Sequence, residues 1–250
     1  MKLNVLSLII GAVLLGVVSC GEETKQEAQA PAPSKPASGL AAIVPEGAKL
    51  EKIPVDYQFD TAGLPCWADG ELYFTNNIFD PRENSKTMKL DTSGNLHIVR
   101  EDNGVTTCSY NTGRGTFYCC EMVGHRVVEM GKNGKIVRTV ASVYGGTRLD
   151  GPNDLTIDAK GGIYFTDSHF SPGEDLKQDV PMVLYVTPAG KVVKVIDDIN
   201  FPNGLELSPD GKTLYVVNTN GADKGRAIYA YDVQADGSAN VRLFDTEPSA

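Results

Sequence analysis

Short runs of β-branched and aromatic residues alternate with glycine-containing turns through most of this chain. Glycine supplies the positive φ that tight hairpin turns require, as at Asp69-Gly70 and Asp210-Gly211. Outside the apolar N-terminal segment, no stretch shows a helical period. The pattern therefore predicts an all-β fold of antiparallel hairpins, with strands at Leu72–Thr75, Ile136–Val140, Ile163–Thr166, Val183–Val186, Val192–Ile196 and Leu214–Val217.

These hairpins belong to four copies of one sequence pattern, each with an inner and an outer turn. Every copy reaches a tyrosine on its second predicted strand, and these tyrosines are Tyr73, Tyr118, Tyr164 and Tyr215. Their spacing of about 45 to 51 residues is the period of a propeller blade. Two hairpins per copy give the four strands of one blade. The repeat predicts a β-propeller of four-stranded antiparallel blades, with about four blades in this chain. These blades are either a closed four-bladed ring or part of a larger propeller.

The opening residues of the copies are candidates for a shared site. The first strand of each propeller blade lines the central channel, so we expect Gly63, Thr107, Asn153 and Asn203 to cluster. The residues that end the second strands are expected around the same mouth, and they are Asn76, Glu121, Asp167 and Asn218. Apolar residues of the first strands are expected to pack between blades, namely Trp67, Leu155, Ile157, Leu205 and Leu207.

Two asparagines are the most distinctive candidates for a functional site. Asn153-Asp154 follows Gly151-Pro152, and Asn203 follows another proline. Amide and carboxylate oxygens together form the kind of site that a hard cation such as calcium or magnesium prefers. Such a cation can polarise an ester carbonyl and lower the pKa of a bound water. The alternative is that these residues are ordinary caps of the turns that precede a strand.

The first 20 residues predict export. Met1-Lys2 is a short basic start, residues 3–18 are almost all apolar, and small residues precede Cys20. This arrangement resembles the bacterial lipoprotein signal, in which the cysteine becomes the acylated N-terminus. A simple cleaved secretion signal is the alternative. With Gly21 after the cysteine, we expect lipidation at Cys20 and a membrane-anchored protein in the cell envelope, at the outer membrane or periplasm.

Composition divides the remainder of the chain. Residues 21–42 are rich in Glu, Lys, Ala, Pro and Ser, which predicts a flexible tether, and residues 43–250 are the predicted propeller domain. The formal net charge is −9 and the pI is about 4.9. An acidic chain without a basic face argues against a nucleic-acid partner.

Four cysteines lie in the predicted domain: Cys66, Cys108, Cys119 and Cys120. An exported protein can oxidise such residues, and a disulfide at Cys108 is left open. The adjacent Cys119 and Cys120 must point to opposite faces of a strand. No Cys-x-x-Cys spacing suggests zinc. Most of these cysteines are therefore interpreted as buried apolar side chains.

Two phrases resemble a known family. They run from Gly146 to Asp167 and from Phe201 to Val217, and they are similar to senescence marker protein, gluconolactonase and luciferin-regenerating enzyme. The resemblance extends from about Pro54 to the end. It implies a six-bladed propeller that holds a divalent cation and hydrolyses a lactone, commonly of a sugar acid. Calcium is the first expectation for the cation, with magnesium or zinc as further candidates.

The resemblance also implies roles for particular residues. Asn203 matches the metal-binding asparagine of the family, and Asn153 matches an asparagine that faces metal or substrate. Asp154 accompanies Asn153, and Arg148 stands where bacterial members often carry an arginine. We expect these residues to bind a small-molecule lactone or sugar acid together with the cation.

Two departures from the family pattern weaken that expectation. Gly63 stands where the family usually has a metal-binding glutamate, and Thr107-Cys108 replaces a common Asn-Gly. The rim carboxylates of Glu121 and Asp167 are expected to compensate, with His169 beside them as a further substrate contact.

The catalytic residue cannot be assigned from this chain. The family's catalytic aspartate belongs to the blade after the Asn203 motif, so we expect it beyond Ala250 and expect the propeller to be incomplete at its C-terminus. A metal-dependent lactonase is therefore the first hypothesis. A non-catalytic envelope propeller that binds a carbohydrate or protein is the alternative.

Overall fold

The computed structural model describes residues 44, 47–50, 52–78, 84–169, 176–219, 226–237 and 239–242. The predicted export signal, with Cys20, and the predicted tether at residues 21–42 lie outside the described residues. All strands belong to one compact unit, residues 53–250. Within the described part of the chain, no helix is long and apolar enough to cross a membrane.

Four antiparallel sheets of four strands each form the fold, and the strands of every sheet pair in sequence order. This confirms the predicted all-β propeller architecture, and we number the sheets as blades 1 to 4. A two-stranded ribbon, β9 (Val143–Tyr144) and β10 (Thr147–Arg148), connects blades 2 and 3. Blade 1 contains β1 (Thr61–Ala68), β2 (Glu71–Asn77), β3 (Lys86–Leu90) and β4 (Leu96–Glu101), and blade 2 contains β5 (Thr106–Asn111), β6 (Thr116–Glu121), β7 (Arg126–Gly131) and β8 (Ile136–Ala141). Blade 3 contains β11 (Pro152–Ile157), β12 (Ile163–Asp167), β13 (Met182–Val186) and β14 (Val192–Ile196). Blade 4 contains β15 (Pro202–Leu207), β16 (Thr213–Asn218), β17 (Ala227–Val233) and β18 (Ala239–Arg242).

The hydrophobic core lies between the blades. Every residue of β12 and of β13 is buried. Successive side chains of a strand point to opposite faces, so Ile163 and Phe165 pack towards blade 2 whereas Tyr164 packs towards blade 4. The central strands therefore have continuous apolar sequences rather than alternating ones, because both of their faces are covered.

The cysteines show the same alternation. Cys119 packs with Cys66 between blades 1 and 2, and Cys120 packs with Cys108 between blades 2 and 3. All four are buried free thiols, and burial raises the pKa of Cys119 to about 12. The prediction of opposite faces and apolar packing is confirmed, and the disulfide left open at Cys108 is not formed. Trp67 was wrongly predicted to pack between blades, since 41% of it is exposed.

The first strand of each blade carries a β-bulge. The extra residues disturb the pairing of that strand with the second strand near its beginning. The interruptions occur between Gly63 and Cys66, Thr106 and Cys108, Pro152 and Leu155, and Pro202 and Leu205. The same irregularity therefore recurs at the opening of every copy of the repeat.

Hydrogen bonds link consecutive blades near these bulges. Thr107 Oγ1 donates to the Pro152 carbonyl at 3.1 Å, and Ser168 Oγ donates to the Pro202 carbonyl. The first strands of neighbouring blades also contact each other directly. The starts of blades 3 and 4 are thus held against the preceding blade by side chains as well as by the apolar core.

Candidate metal and substrate site

A cleft of about 310 Å³ opens where the four bulges meet. All four blades contribute to it, and its eight lining residues are Thr61, Gly63, Leu64, Asn77, Thr107, Asn153, Asp154 and Asn203. The predicted clustering of Gly63, Thr107, Asn153 and Asn203 is therefore confirmed. The bulges bring the residues together, because they turn side chains that a regular strand would direct elsewhere.

The chemistry of the cleft is that of neutral oxygen donors. Its polar side chains are amides, hydroxyls and the carboxylate of Asp154, and its eight lining residues include no histidine or cysteine. Among the described residues, no three His, Cys, Asp or Glu side chains are grouped so that they could hold a metal ion. The donor set fits a hard cation such as calcium or magnesium, and it lacks the nitrogen and sulfur ligands typical of zinc.

Asp154 holds blades 3 and 4 together at the cleft. Its Oδ2 accepts the Leu205 N–H at 2.9 Å and its Oδ1 accepts the Leu155 N–H at 2.9 Å. Burial raises the pKa of this carboxyl group. A carboxylate oxygen accepts more than one bond, so both oxygens keep capacity for a ligand. The only carboxylate in the lining is therefore fixed in position by backbone donors.

Asn203 is connected to the same network. The Asp154 N–H donates to Thr166 Oγ1 at 3.0 Å, and this hydroxyl donates to the Asn203 carbonyl at 2.8 Å. The Asn203 side-chain nitrogen lies 3.5 Å from Thr219 Oγ1, to which it can donate. At this distance the contact is weak, and a hydroxyl can both donate and accept, so either end of the Asn203 amide can face the cleft.

Asp150 is a buried residue that the sequence analysis missed. Its carboxylate accepts the backbone N–H groups of Lys177 at 2.7 Å and Gln178 at 2.8 Å. Arg148 Nη2 lies 4.0 Å from Asp150 Oδ1, and His169 Nε2 lies 3.2 Å from Asp150 Oδ2. The structure thus brings two predicted substrate residues together around Asp150, outside the lining of the cleft. Its place directly before Gly151-Pro152-Asn153 was the signal available in the sequence.

Asp167 secures the backbone that leads into Asn153. Its carboxylate accepts the N–H groups of Asp150 at 3.1 Å and Gly151 at 2.7 Å. Burial, reinforced by the nearby Asp150 carboxylate, outweighs these bonds and raises the pKa of Asp167 to about 6. The observed contacts of Asp167 therefore hold the strand that presents Asn153 and Asp154.

The residues equivalent to Asp167 in blades 1 and 4 also accept a backbone N–H group from the segment before the first strand. Asn76 Oδ1 accepts the Asp60 N–H at 2.9 Å, and Asn218 Oδ1 accepts the Phe201 N–H at 3.2 Å. The cleft is lined by Asn77 rather than by Asn76. The expectation that the strand-ending residues surround the mouth is corrected here, because these side chains fasten the segment before the first strand.

Glu121 has ionic partners instead of a place in the cleft lining. It is fully buried, and its carboxylate contacts Arg100 Nη1 at 2.5 Å and Arg126 Nε at 2.6 Å. Gly124 leaves the space for it, since a Cβ there would lie 2.7 Å from Glu121 Oε2. Arg100 belongs to blade 1, so this ion triad joins blades 1 and 2.

Comparison with known proteins places this architecture in a family. The family model described as the SMP-30/Gluconolactonase/LRE-like region matches residues 63–249. A gluconolactonase of Zymomonas mobilis is 33% identical over 98 residues, which cover 37% of this chain and 28% of that protein. The chain thus spans well under half of the length of this curated relative.

Solved structures show the same fold. A gluconolactonase of Xanthomonas campestris has a TM-score of 0.66 at 25% identity, with 76% of this chain and 64% of that chain covered. Regucalcin of Agrobacterium tumefaciens, a calcium-binding protein, has a TM-score of 0.53 at 17% identity, with 72% and 58% covered. At the latter identity the likeness concerns the fold alone.

We expect Glu121→Ala to reduce the free energy of unfolding by about 3–5 kcal/mol, because it leaves two arginines without their buried partner. Asp197→Ala is the control. It removes the exposed carboxylate that pairs with Lys194 at 2.5 Å, which should change stability by about 1 kcal/mol or less. Urea denaturation measures both values. Equal stability of the parent and the Glu121 variant would contradict the structural role.

We expect the Asp167 carboxyl group to make stability depend on pH. Its pKa of about 6 in the fold exceeds the value of about 3.9 in an unfolded chain. The folded state therefore binds the proton more tightly, so the stabilisation is complete below about pH 4 and is lost as the pH rises through about 6. The loss should approach about 3 kcal/mol, and Asp167→Asn should abolish it. Urea denaturation of both proteins between about pH 4 and about pH 8 tests this, and parallel pH profiles would contradict it.

Proposed function

Because the chain belongs to the SMP-30/gluconolactonase/LRE-like family, we propose that it hydrolyses a lactone, of the sugar-acid class, with a divalent cation bound in the cleft. The observation that carries the proposal is the oxygen-rich cleft in which Asn153 and Asn203 come together from neighbouring blades. The gluconolactonase names of its relatives support the substrate class. Calcium is the first candidate cation, supported by the oxygen donors of the cleft.

Residues in the cleft and residues outside its lining have separate roles in this proposal. Asn153 and Asn203 would hold the cation through their amide oxygens, and Asp154 would supply the negative charge. A cation held there would polarise the ester carbonyl and lower the pKa of a bound water. Arg148 and His169, organised by Asp150, bind the polar part of the substrate. Asp167 and Glu121 are positioning residues, because their carboxylates hold backbone and arginine partners.

We expect the protein to open an aldonolactone, with the released acid followed by a pH indicator. EDTA should abolish turnover and added calcium should restore it, because the cation activates the carbonyl. Asn203→Ala should lower kcat/KM by about 100-fold, since it removes a ligand. Asn133→Ala, at an exposed turn in blade 2, is the control and should leave turnover unchanged. Turnover that is insensitive to EDTA across a panel of lactones would contradict metal dependence.

The alternative function is binding of a carbohydrate or protein without catalysis. It is favoured by Gly63, which leaves the cleft with a single carboxylate. A Cβ at Gly63 would meet no atom within 4 Å, and its φ is not positive. Gly63→Glu therefore has room to add a carboxylate. Turnover that appears only in this variant would support the alternative for the natural protein.

We further propose that the protein is exported and anchored to the cell envelope by a lipid at Cys20. The apolar residues 3–18 and the small residues before the cysteine support this. Cells fed a labelled fatty acid should label the protein, and Cys20→Ala should abolish the label and release the protein from the membrane fraction. An unlabelled parent protein would contradict the anchor.

A further inference from the structure

Asn77 presents an unexplained oxygen at the cleft. It is the last residue of β2, it lines the cleft, and only 6% of it is exposed. Its Oδ1 is buried and has no hydrogen-bond partner among the described residues. A buried acceptor without a partner costs about 1–3 kcal/mol. Such a group therefore indicates a partner that the protein chain itself does not provide.

The orientation of the Asn77 amide is fixed by blade 2. Its Nδ2 donates to the Thr106 carbonyl at 2.8 Å, and only the nitrogen end of an amide can do so. Thr106 is itself held, because its N–H donates to Asn103 Oδ1 at 3.2 Å and its hydroxyl donates to the Asn103 carbonyl at 2.8 Å. The amide therefore keeps its nitrogen on Thr106 and its oxygen on the opposite side.

Asn77 also lies close to the position where a carboxylate is missing. It pairs with Thr61 across β1, two residues before Gly63 on that strand. The eight lining residues of the cleft include no lysine or arginine that could satisfy its oxygen. A cation shared with Asn153, Asn203 and Asp154 would satisfy it, since amide oxygens are ordinary calcium ligands.

We propose that Asn77 is a further ligand of the cation and that blade 1 supplies this ligand from its second strand, in place of a side chain at Gly63. The inference rests on the proposed function. It changes the composition of the site, because blade 1 then contributes a neutral oxygen instead of a carboxylate.

The test is isothermal titration of the whole protein with calcium chloride. Asn77→Ala should weaken calcium binding by about tenfold or more, because a direct ligand is lost. Asn77→Asp should bind at least as tightly as the parent, because it keeps an oxygen in the cleft and adds a charge. Asn76→Ala is the matched control. It removes the neighbouring buried amide, which holds the Asp60 N–H, and should change the affinity by less than about threefold.

Each outcome decides a different claim. If the parent binds calcium and Asn77→Ala binds equally well, the role of Asn77 is overturned and the proposed function stands. If Asn77→Asp loses as much affinity as Asn77→Ala, the amide matters only for its bond to Thr106, and the inference again fails. If the parent binds no calcium, the inference falls together with the assignment of calcium to the proposed function. Should Asn77→Ala fail to fold, the comparison of Asn77→Asp with the parent decides.

Discussion

A β-bulge near the start of the first strand of each blade is the constraint on which the candidate site depends. In a regular strand, neighbouring residues point to opposite faces, so Asn153 and Asp154 could not both face one cleft. The bulge between Pro152 and Leu155 breaks that alternation, and both residues line the cleft. The same irregularity at the equivalent place in blade 4 brings Asn203 to it. The repeat therefore builds a site from one local distortion used several times.

The acidic residues near the cleft serve mainly to hold this arrangement in place. Glu121 is neutralised by two arginines, whereas Asp150 and Asp167 accept backbone N–H groups. Asp154 is the only carboxylate among the lining residues. The remaining donors to a cation are neutral amides and hydroxyls. Because calcium affinity rises with the number of charged ligands, we expect the cleft to bind calcium with modest affinity in spite of the chain's net charge of −9.

Local signals in the sequence predicted much of this fold. Glycine turns and apolar runs predicted the hairpins, and the repeat predicted the blades. Alternation along a strand predicted the opposite faces of Cys119 and Cys120. The register of the strands was harder to predict, because a shift of one residue exchanges the two faces of a strand. Asn76 was therefore expected at the mouth, where the structure places Asn77. The position of Asp150 beside the Asn153 motif was visible in the sequence, but its backbone partners were not, because Lys177 and Gln178 lie almost 30 residues away.

The most direct test of the account is to locate the cation. Crystals soaked in calcium chloride and measured at long wavelength would reveal it in an anomalous difference map. We expect one peak in the cleft, about 2.3–2.6 Å from the side-chain oxygens of Asn153 and Asn203. A peak at Asp150 or elsewhere on the surface, with none in the cleft, would contradict the claim that the bulged first strands form a cation site.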